Sequence, residues 1–191
     1  MHRMAASPLY ERAIDAVADL LSRQRLAYVF AGNVARSVYL GTPVDSGSID
    51  VIATMGPQQM NQVAMMASHR GFRVEREEVE ATEELDLIPM HFEDVRVHVL
   101  VASNALYGRM VADGVVAEWP GRQVAEDVAT RQPGNPVTQF KVPRIEDFAL
   151  LLQMSNDVTA LMTLLESAEF DRNYYNEKLT SIGLRELVVP E

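Results

Sequence analysis

The chain has 191 residues, 48% of them hydrophobic, and a formal net charge of −10. This length suits one large globular domain or a domain with a smaller appended part, and the acidic charge disfavours non-specific binding to DNA, RNA or an anionic membrane. There is no cysteine, no apolar run of the roughly 20 residues that a membrane-spanning helix needs, and no apolar stretch at the start like that of a signal peptide. We therefore expect a cytoplasmic protein without disulfides, thiolate zinc sites or membrane contact.

The first half of the chain is predicted to alternate helices with strands. The expected elements are a helix over 7–26, a strand over 27–30, a helix over 33–40, a strand over 48–54 and a helix over 57–70. Ser7 and Pro8 suit the start of the first helix, and Gly41 suits the end of the second. In the third helix we expect an inward face made by Met60, Val63, Ala64 and Ala67.

The second half is predicted to hold a hairpin, weaker strands and a helical end. The expected strands are 72–74, 90–92, 95–101, 115–117, 123–128 and 140–142. The expected helices are 103–112, one from residue 143 and 171–182, and residues 156–167 either continue the helix from residue 143 or form a second helix capped at Ser155 or Asn156. The turn-forming residues of 131–136 mark a linker. We therefore predict an α/β (α+β) fold, in which a small mixed sheet flanked by helices spans 1–135 and a helical part, 136–191, packs on it.

The strand over 48–54 carries one acidic side chain, Asp50, among apolar residues. Because side chains alternate along a strand, Ser48 and Asp50 share one face, and so do Arg96 and His98 in a later strand. A carboxylate within an apolar strand needs a partner, since burying an unpaired charge is costly. We expect Asp50 to pair with His98 or Arg96 if the two strands are neighbours.

Four stretches carry a likeness to a known family: Gly32-Asn33 after the first strand, VDSGSID over 44–50, RVHVL over 96–100, and IEDFALLLQMSNDVTALMTLL over 145–165. Their order resembles the nucleotidyltransferase superfamily, and within it the minimal and abortive-infection (AbiEii-like) toxin branch, over roughly residues 10 to 185. That family has a Gly-Gly or Gly-Ser turn, then R-x-T-x-D-x-D, then a third aspartate on a later strand. The resemblance implies a site for two Mg²⁺ ions and a nucleoside triphosphate.

This chain departs from the family pattern at most of the implied site. Ser48 stands at the first metal aspartate and His98 at the third, while Asp50 alone remains. Val44 replaces the arginine and Leu152 the lysine of the family pattern. The resemblance thus implies Asp50, Ser48 and His98 as vestigial catalytic positions, Gly32, Asn33 and Ser46 as nucleotide-binding positions, and Asp50 with Asp45 as metal positions.

Three functions stay open on the sequence. The first is a non-catalytic protein with a degraded metal site and no bound cofactor, acting as a regulator or a toxin–antitoxin type component through a protein partner. The second is an active Mg²⁺-dependent enzyme that moves a nucleotide from NTP to a protein, an RNA end or a small molecule, with Asp45, Asp86, Glu93 or Asp94 supplying the missing oxygens. The third is an interaction module that self-associates through the helix FALLLQM.

Overall fold

The computed structural model describes residues 6–74, 86–119 and 139–183. By its contacts the chain divides into two compact units, Met1–Pro143 and Arg144–Glu191. The predicted linker over 131–136 and the predicted strand over 123–128 lie outside the described residues, and the predicted domain boundary at residue 135 stays a prediction. No helix of the described ranges is long and apolar enough to cross a membrane.

The first unit alternates helices and strands in the predicted order. Its described elements are α1 (Pro8–Arg23), β1 (Tyr28–Phe30), α2 (Gly32–Leu40), β2 (Ser48–Ala53), α3 (Pro57–Ser68), β3 (Phe72–Arg73), β4 (Leu87–Phe92), β5 (Val95–Val101), α4 (Ala105–Ala112), β6 (Val115–Glu118) and β7 (Gln139–Val142). Gly41 ends α2 in the left-handed conformation, with φ of 69°, as the sequence predicts.

These strands form a larger and a smaller sheet. The larger sheet has the order β1-β2-β5-β4-β3, and the smaller one pairs β6 with β7. The pairing of β2 with β5 is parallel, whereas β1 with β2, β4 with β5 and β3 with β4 are antiparallel. The predicted mixed sheet flanked by helices is therefore confirmed. For β6, the described partner strand is β7, which is distant in sequence.

Alternation along β5 separates a buried face from a polar one. Its four valines are buried, whereas Arg96 is exposed and His98 is half-buried. In α1 the apolar stripe that includes Ile14 and Val17 is fully buried. In α3 the predicted inward face is only partly correct: Val63 and Ala67 are buried, while Met60 and Ala64 are half-buried at the edge of the stripe.

The described part of the second unit is helical, with α5 (Ile145–Met154), α6 (Val158–Leu165) and α7 (Arg172–Ser181). The predicted cap of α6 at Ser155 or Asn156 is wrong. Asn156 adopts a left-handed φ of 58° that ends α5, and the Ser155 hydroxyl donates to the carbonyl of Leu152 at 3.0 Å. The Asp157 side chain therefore caps α6 and accepts from the backbone N–H of Ala160 at 3.2 Å.

Glu146 is buried in the second unit, with 2% of its surface exposed, and joins two segments of it. Its Oε1 accepts from the backbone N–H of Asp171 at 2.9 Å, and its Oε2 accepts from Nε of Arg144 at 3.3 Å. Burial of the Arg144 guanidinium lowers its pKa, but Glu146, together with Tyr174 and Asp147, raises it by more, so the pKa lies above its usual value. The Arg144 guanidinium also lies over the Tyr174 ring, 4.5 Å from its centroid.

We expect Glu146→Ala to lower the free energy of unfolding by about 2 kcal/mol, because it leaves the partly buried N–H of Asp171 and the Arg144 guanidinium without their acceptor. Glu146→Gln keeps one carbonyl oxygen and should cost less than Glu146→Ala. Urea unfolding followed by circular dichroism measures both effects. Glu166→Gln, at an exposed glutamate that ends α6, is the matched control and should change stability little. Equal effects of Glu146→Ala and Glu166→Gln would contradict the structural role of Glu146.

Candidate functional site

The parallel pairing of β2 with β5 brings Asp50 and His98 together. In this register Asp50 lies opposite His98, and Ser48 lies opposite Arg96. Oδ1 of Asp50 accepts a hydrogen bond from the Ser48 hydroxyl at 2.9 Å and lies 3.0 Å from Nδ1 of His98. The predicted partner of Asp50 is thus confirmed as His98. Both side chains remain partly open to solvent, with 26% of Asp50 and 31% of His98 exposed.

Gly32 forms the turn between β1 and α2 and lies directly against Asp50. The backbone N–H of Ala31 donates to the Asp50 carbonyl at 2.8 Å, which fixes the end of β1 beside β2. Gly32 has a φ of +48°, and a Cβ atom there would overlap Oδ2 of Asp50 and lie 3.0 Å from its Cγ. Glycine is therefore required both by the left-handed backbone and by the approach of the carboxylate.

The loop before β2 is held from two sides. The Asn33 side-chain amide donates to the carbonyl of Ser48 at 3.0 Å and, at 3.4 Å, to that of Ser46. From α1, the Tyr10 hydroxyl donates to the carbonyl of Gly47 at 2.8 Å. The structure thus brings the predicted nucleotide-binding residues Asn33 and Ser46 together, but the amide of Asn33 is already occupied by backbone carbonyls.

The other predicted positions lie around this centre. Asp45 is exposed on the loop, and Val44, the counterpart of the family's arginine, is buried. Glu93 lies in the turn that connects β4 to β5, and its carboxylate forms an ion pair with Arg12 at 2.9 Å. Tyr10 was not predicted as a site residue, because a tyrosine at the start of a buried helical stripe reads as a core residue.

The side chains around Asp50 do not fit the pair of Mg²⁺ ions that the family resemblance implies. Mg²⁺ prefers an octahedral set of oxygen ligands that includes carboxylates. Here Asp50 supplies the carboxylate, and both Ser48 and His98 are bound to one of its oxygens. Within residues 6–74, 86–119 and 139–183, no group of three histidine, aspartate or glutamate side chains is placed to hold a metal ion.

Tyr10 connects the loop to the charges beside the site. Burial raises the pKa of Tyr10 and the Asp45 carboxylate raises it further, while Arg96 acts in the opposite direction. A folded-state pKa above the unfolded value of 10.0 means that the folded chain holds this proton more tightly. The contribution of Tyr10 to stability is then complete below pH 10.0 and is lost as the pH rises through the folded-state pKa.

We expect Tyr10→Phe to lower the free energy of unfolding by about 1 kcal/mol at about pH 8, because the bond to Gly47 is lost. At about pH 11 the difference from the unmodified chain should shrink, because the Tyr10 phenol then ionises. Urea unfolding at the two pH values measures this. Tyr107→Phe is the control, because the Tyr107 hydroxyl makes no hydrogen bond within the described part of the chain. A loss that is constant with pH would contradict the assignment.

The arrangement of strands and helices matches a nucleotidyltransferase-like fold. Gly32 lies at the start of α2, and the polar side chains Asp50 and His98 lie on β2 and β5. Among solved structures, the chain is similar to an antigenic nucleotidyltransferase-like protein from Paracoccidioides brasiliensis, with a TM-score of 0.52 and 10% sequence identity. The match covers 94% of this chain and 88% of the other. At this identity the likeness concerns the fold alone.

Comparisons at the level of sequence found no relative. No protein-family model matches the chain, and no curated protein matches it either.

Proposed function

We propose that this chain is a non-catalytic protein on a nucleotidyltransferase-like fold, acting by binding at or around a degraded metal site. The observation that carries the proposal is the set of contacts that Asp50 makes. Its Oδ1 accepts from Ser48 and contacts His98, and its Oδ2 lies against Gly32. At the three positions where the family has carboxylates, this chain has one, joined to a hydroxyl and an imidazole.

A nucleoside triphosphate would find little charge compensation in this arrangement. In the family, two metal ions neutralise the triphosphate and activate the acceptor hydroxyl. Here Ser48 and His98 already contact one oxygen of Asp50, so a metal ion that used this oxygen would have to displace them, at a cost in hydrogen bonds. The Asn33 amide is bound to the loop carbonyls. The donor set therefore favours binding without metal-dependent chemistry.

The biological role we propose is that of a regulator or a toxin–antitoxin type component, in the AbiEii-like branch, with a protein partner. The departures from the family motif at Ser48 and His98 support a role that does not depend on catalysis. Self-association through FALLLQM is a less favoured form of this proposal. Phe148, Leu150 and Leu152 of that helix are buried within the single chain, so they are not free to cover a second copy.

The test is a calorimetric titration of the chain with ATP in the presence of Mg²⁺ or Mn²⁺, with a parallel incubation with labelled nucleoside triphosphates. We expect no metal-dependent nucleotide binding and no transfer of label to protein, RNA or small molecules. Asp50→Ala and Asp45→Ala should leave both results unchanged. Tight metal-dependent binding that Asp50→Ala abolishes would overturn the proposal in favour of an active transferase. Loss of that binding in Asp45→Ala alone would identify the loop carboxylate as a replacement ligand.

A further inference from the structure

A cavity of about 280 Å³ lies in the first unit, away from Asp50. It is formed by the end of α1, the start of β1, the end of α4 and the strands β6 and β7. Tyr28, in its wall, pairs with Ala53 at the far end of β2, about 10 Å along the strand from Asp50. The cavity is therefore separate from the Asp50 site.

Apolar side chains make most of the wall of this cavity. They are Leu26, Ala27, Val111, Val116 and Phe140. The Phe140 ring is buried and is held edge-on by Phe30, with centroids 5.8 Å apart, and by Trp119 at 6.0 Å. Tyr28 contacts Phe30 in turn, at 5.7 Å. An aromatic wall fixed by several rings is pre-formed, so a ligand does not have to order it.

Among the described lining residues, Lys141 carries a charge, and the neutral Gln139 donates to the Glu118 carboxylate at 3.5 Å. Ser22, Tyr28, Gln139 and Lys141 line the cavity, and no acidic side chain of the described residues does. The chain has a net charge of −10, so a lining with one ammonium and no carboxylate runs against the overall composition. Lys141 forms no ion pair with any other residue that the structure describes. Within the described ranges, its ammonium group therefore has no carboxylate partner.

From this combination we propose that the cavity binds a small organic carboxylate with an aromatic or aliphatic body. The apolar wall takes the body of the ligand, and Lys141 at the exposed side binds the carboxylate. The volume corresponds to roughly nine water molecules in the liquid, which suits a ligand of the size of phenylpropionate. Ser22 and Tyr28, whose hydroxyl oxygens lie 3.3 Å apart, offer neutral hydrogen-bonding groups beside it.

The test uses 3-phenylpropionate as the probe and 3-phenylpropanamide, its neutral counterpart, on the full chain. Amide chemical shifts in a two-dimensional NMR titration report which residues respond. We expect saturable shifts at Val116 and Phe140 with the carboxylate at millimolar concentration or below, and weaker binding of the amide. Lys141→Gln should weaken carboxylate binding about three- to fivefold, as for an exposed ion pair, and leave amide binding unchanged.

A steric variant separates the cavity from the surrounding surface. Val116 is 60% exposed, so Val116→Trp should fold and block the cavity for both probes. Val115→Trp, at the neighbouring exposed position that does not line the cavity, is the matched control and should leave binding intact. The proposal is overturned if no cavity residue responds to the carboxylate, if Lys141→Gln has no effect, or if both tryptophan variants bind like the unmodified chain.

Discussion

Gly32→Ala should lower the free energy of unfolding by about 3 kcal/mol, combining left-handed backbone strain with overlap against a packed neighbour. The φ of +48° is unfavourable for any residue with a Cβ atom, and that atom would overlap the Asp50 carboxylate. Urea unfolding followed by circular dichroism measures the loss. Because the turn also positions the start of α2, a reduced protection of the α2 amides from hydrogen exchange should accompany it.

Two further variants divide this effect into its causes. Gly41 has a φ of +69°, and a Cβ atom at this position would have no described neighbour within 4 Å. Gly41→Ala therefore reports the backbone strain alone, at about 1 to 2 kcal/mol. Gly32→Ala combined with Asp50→Ala removes the carboxylate that the new methyl group meets, and we expect this pair to recover about 1 kcal/mol or more relative to the sum of the single changes. A loss in Gly32→Ala no larger than in Gly41→Ala would contradict the close contact with Asp50.

Placing carboxylates at positions 48 and 98, beside Asp50, should convert the site into a metal site. In Ser48→Asp with His98→Asp, three carboxylates project from neighbouring positions of two parallel strands, because Ser48 and Asp50 share a face and His98 lies opposite Asp50. We expect Mn²⁺ to bind at least about tenfold more tightly than to the unmodified chain, a gain of about 1.4 kcal/mol. Without metal, the three like charges should destabilise the fold. Calorimetric titration and the shift of Tm with Mn²⁺ measure the two effects.

The matched control is Ser48→Asn with His98→Asn, which changes the same positions without adding charge. It should bind no more Mn²⁺ than the unmodified chain. If the doubly acidic variant also binds no better, then the backbone around Asp50 does not hold three carboxylates in a metal-binding geometry. That outcome would contradict the expectation that the residue types at positions 48 and 98 decide whether a metal ion binds.

The sequence predicts which side chains share a face of a strand, but not which side chains of different strands are in contact. Because side chains alternate with a period of two, the sequence assigns Asp50 to one face of its own strand and His98 to one face of a later strand. This information is local to each strand. Their contact depends on the parallel register of β2 and β5, which alternation leaves open. The choice of His98 over Arg96 as the partner could therefore be made only from the structure.

Other differences between the predicted and observed structure have the same origin. The close approach of Gly32 to Asp50 depends on backbone positions that a glycine in a sequence does not specify. Asparagine and aspartate are about equally favoured as N-caps, so the sequence does not choose between Asn156 and Asp157. The structure shows Asp157 as the cap of α6, because Asn156 takes the left-handed conformation. The pairing of β6 with β7 joins Val115 to Val142, and a pattern within a short window gives no information on so distant a partner.

The parallel pairing of β2 with β5 also has a consequence for how the chain folds. Asp50 and His98 are 48 residues apart in sequence, so their contact closes a long loop, and the entropy of closure is lost before any stability is gained. Such non-local pairings form slowly. We therefore expect the surface around Asp50 to assemble late in folding, after α1, α2 and the β4–β5 hairpin, which can form from local contacts.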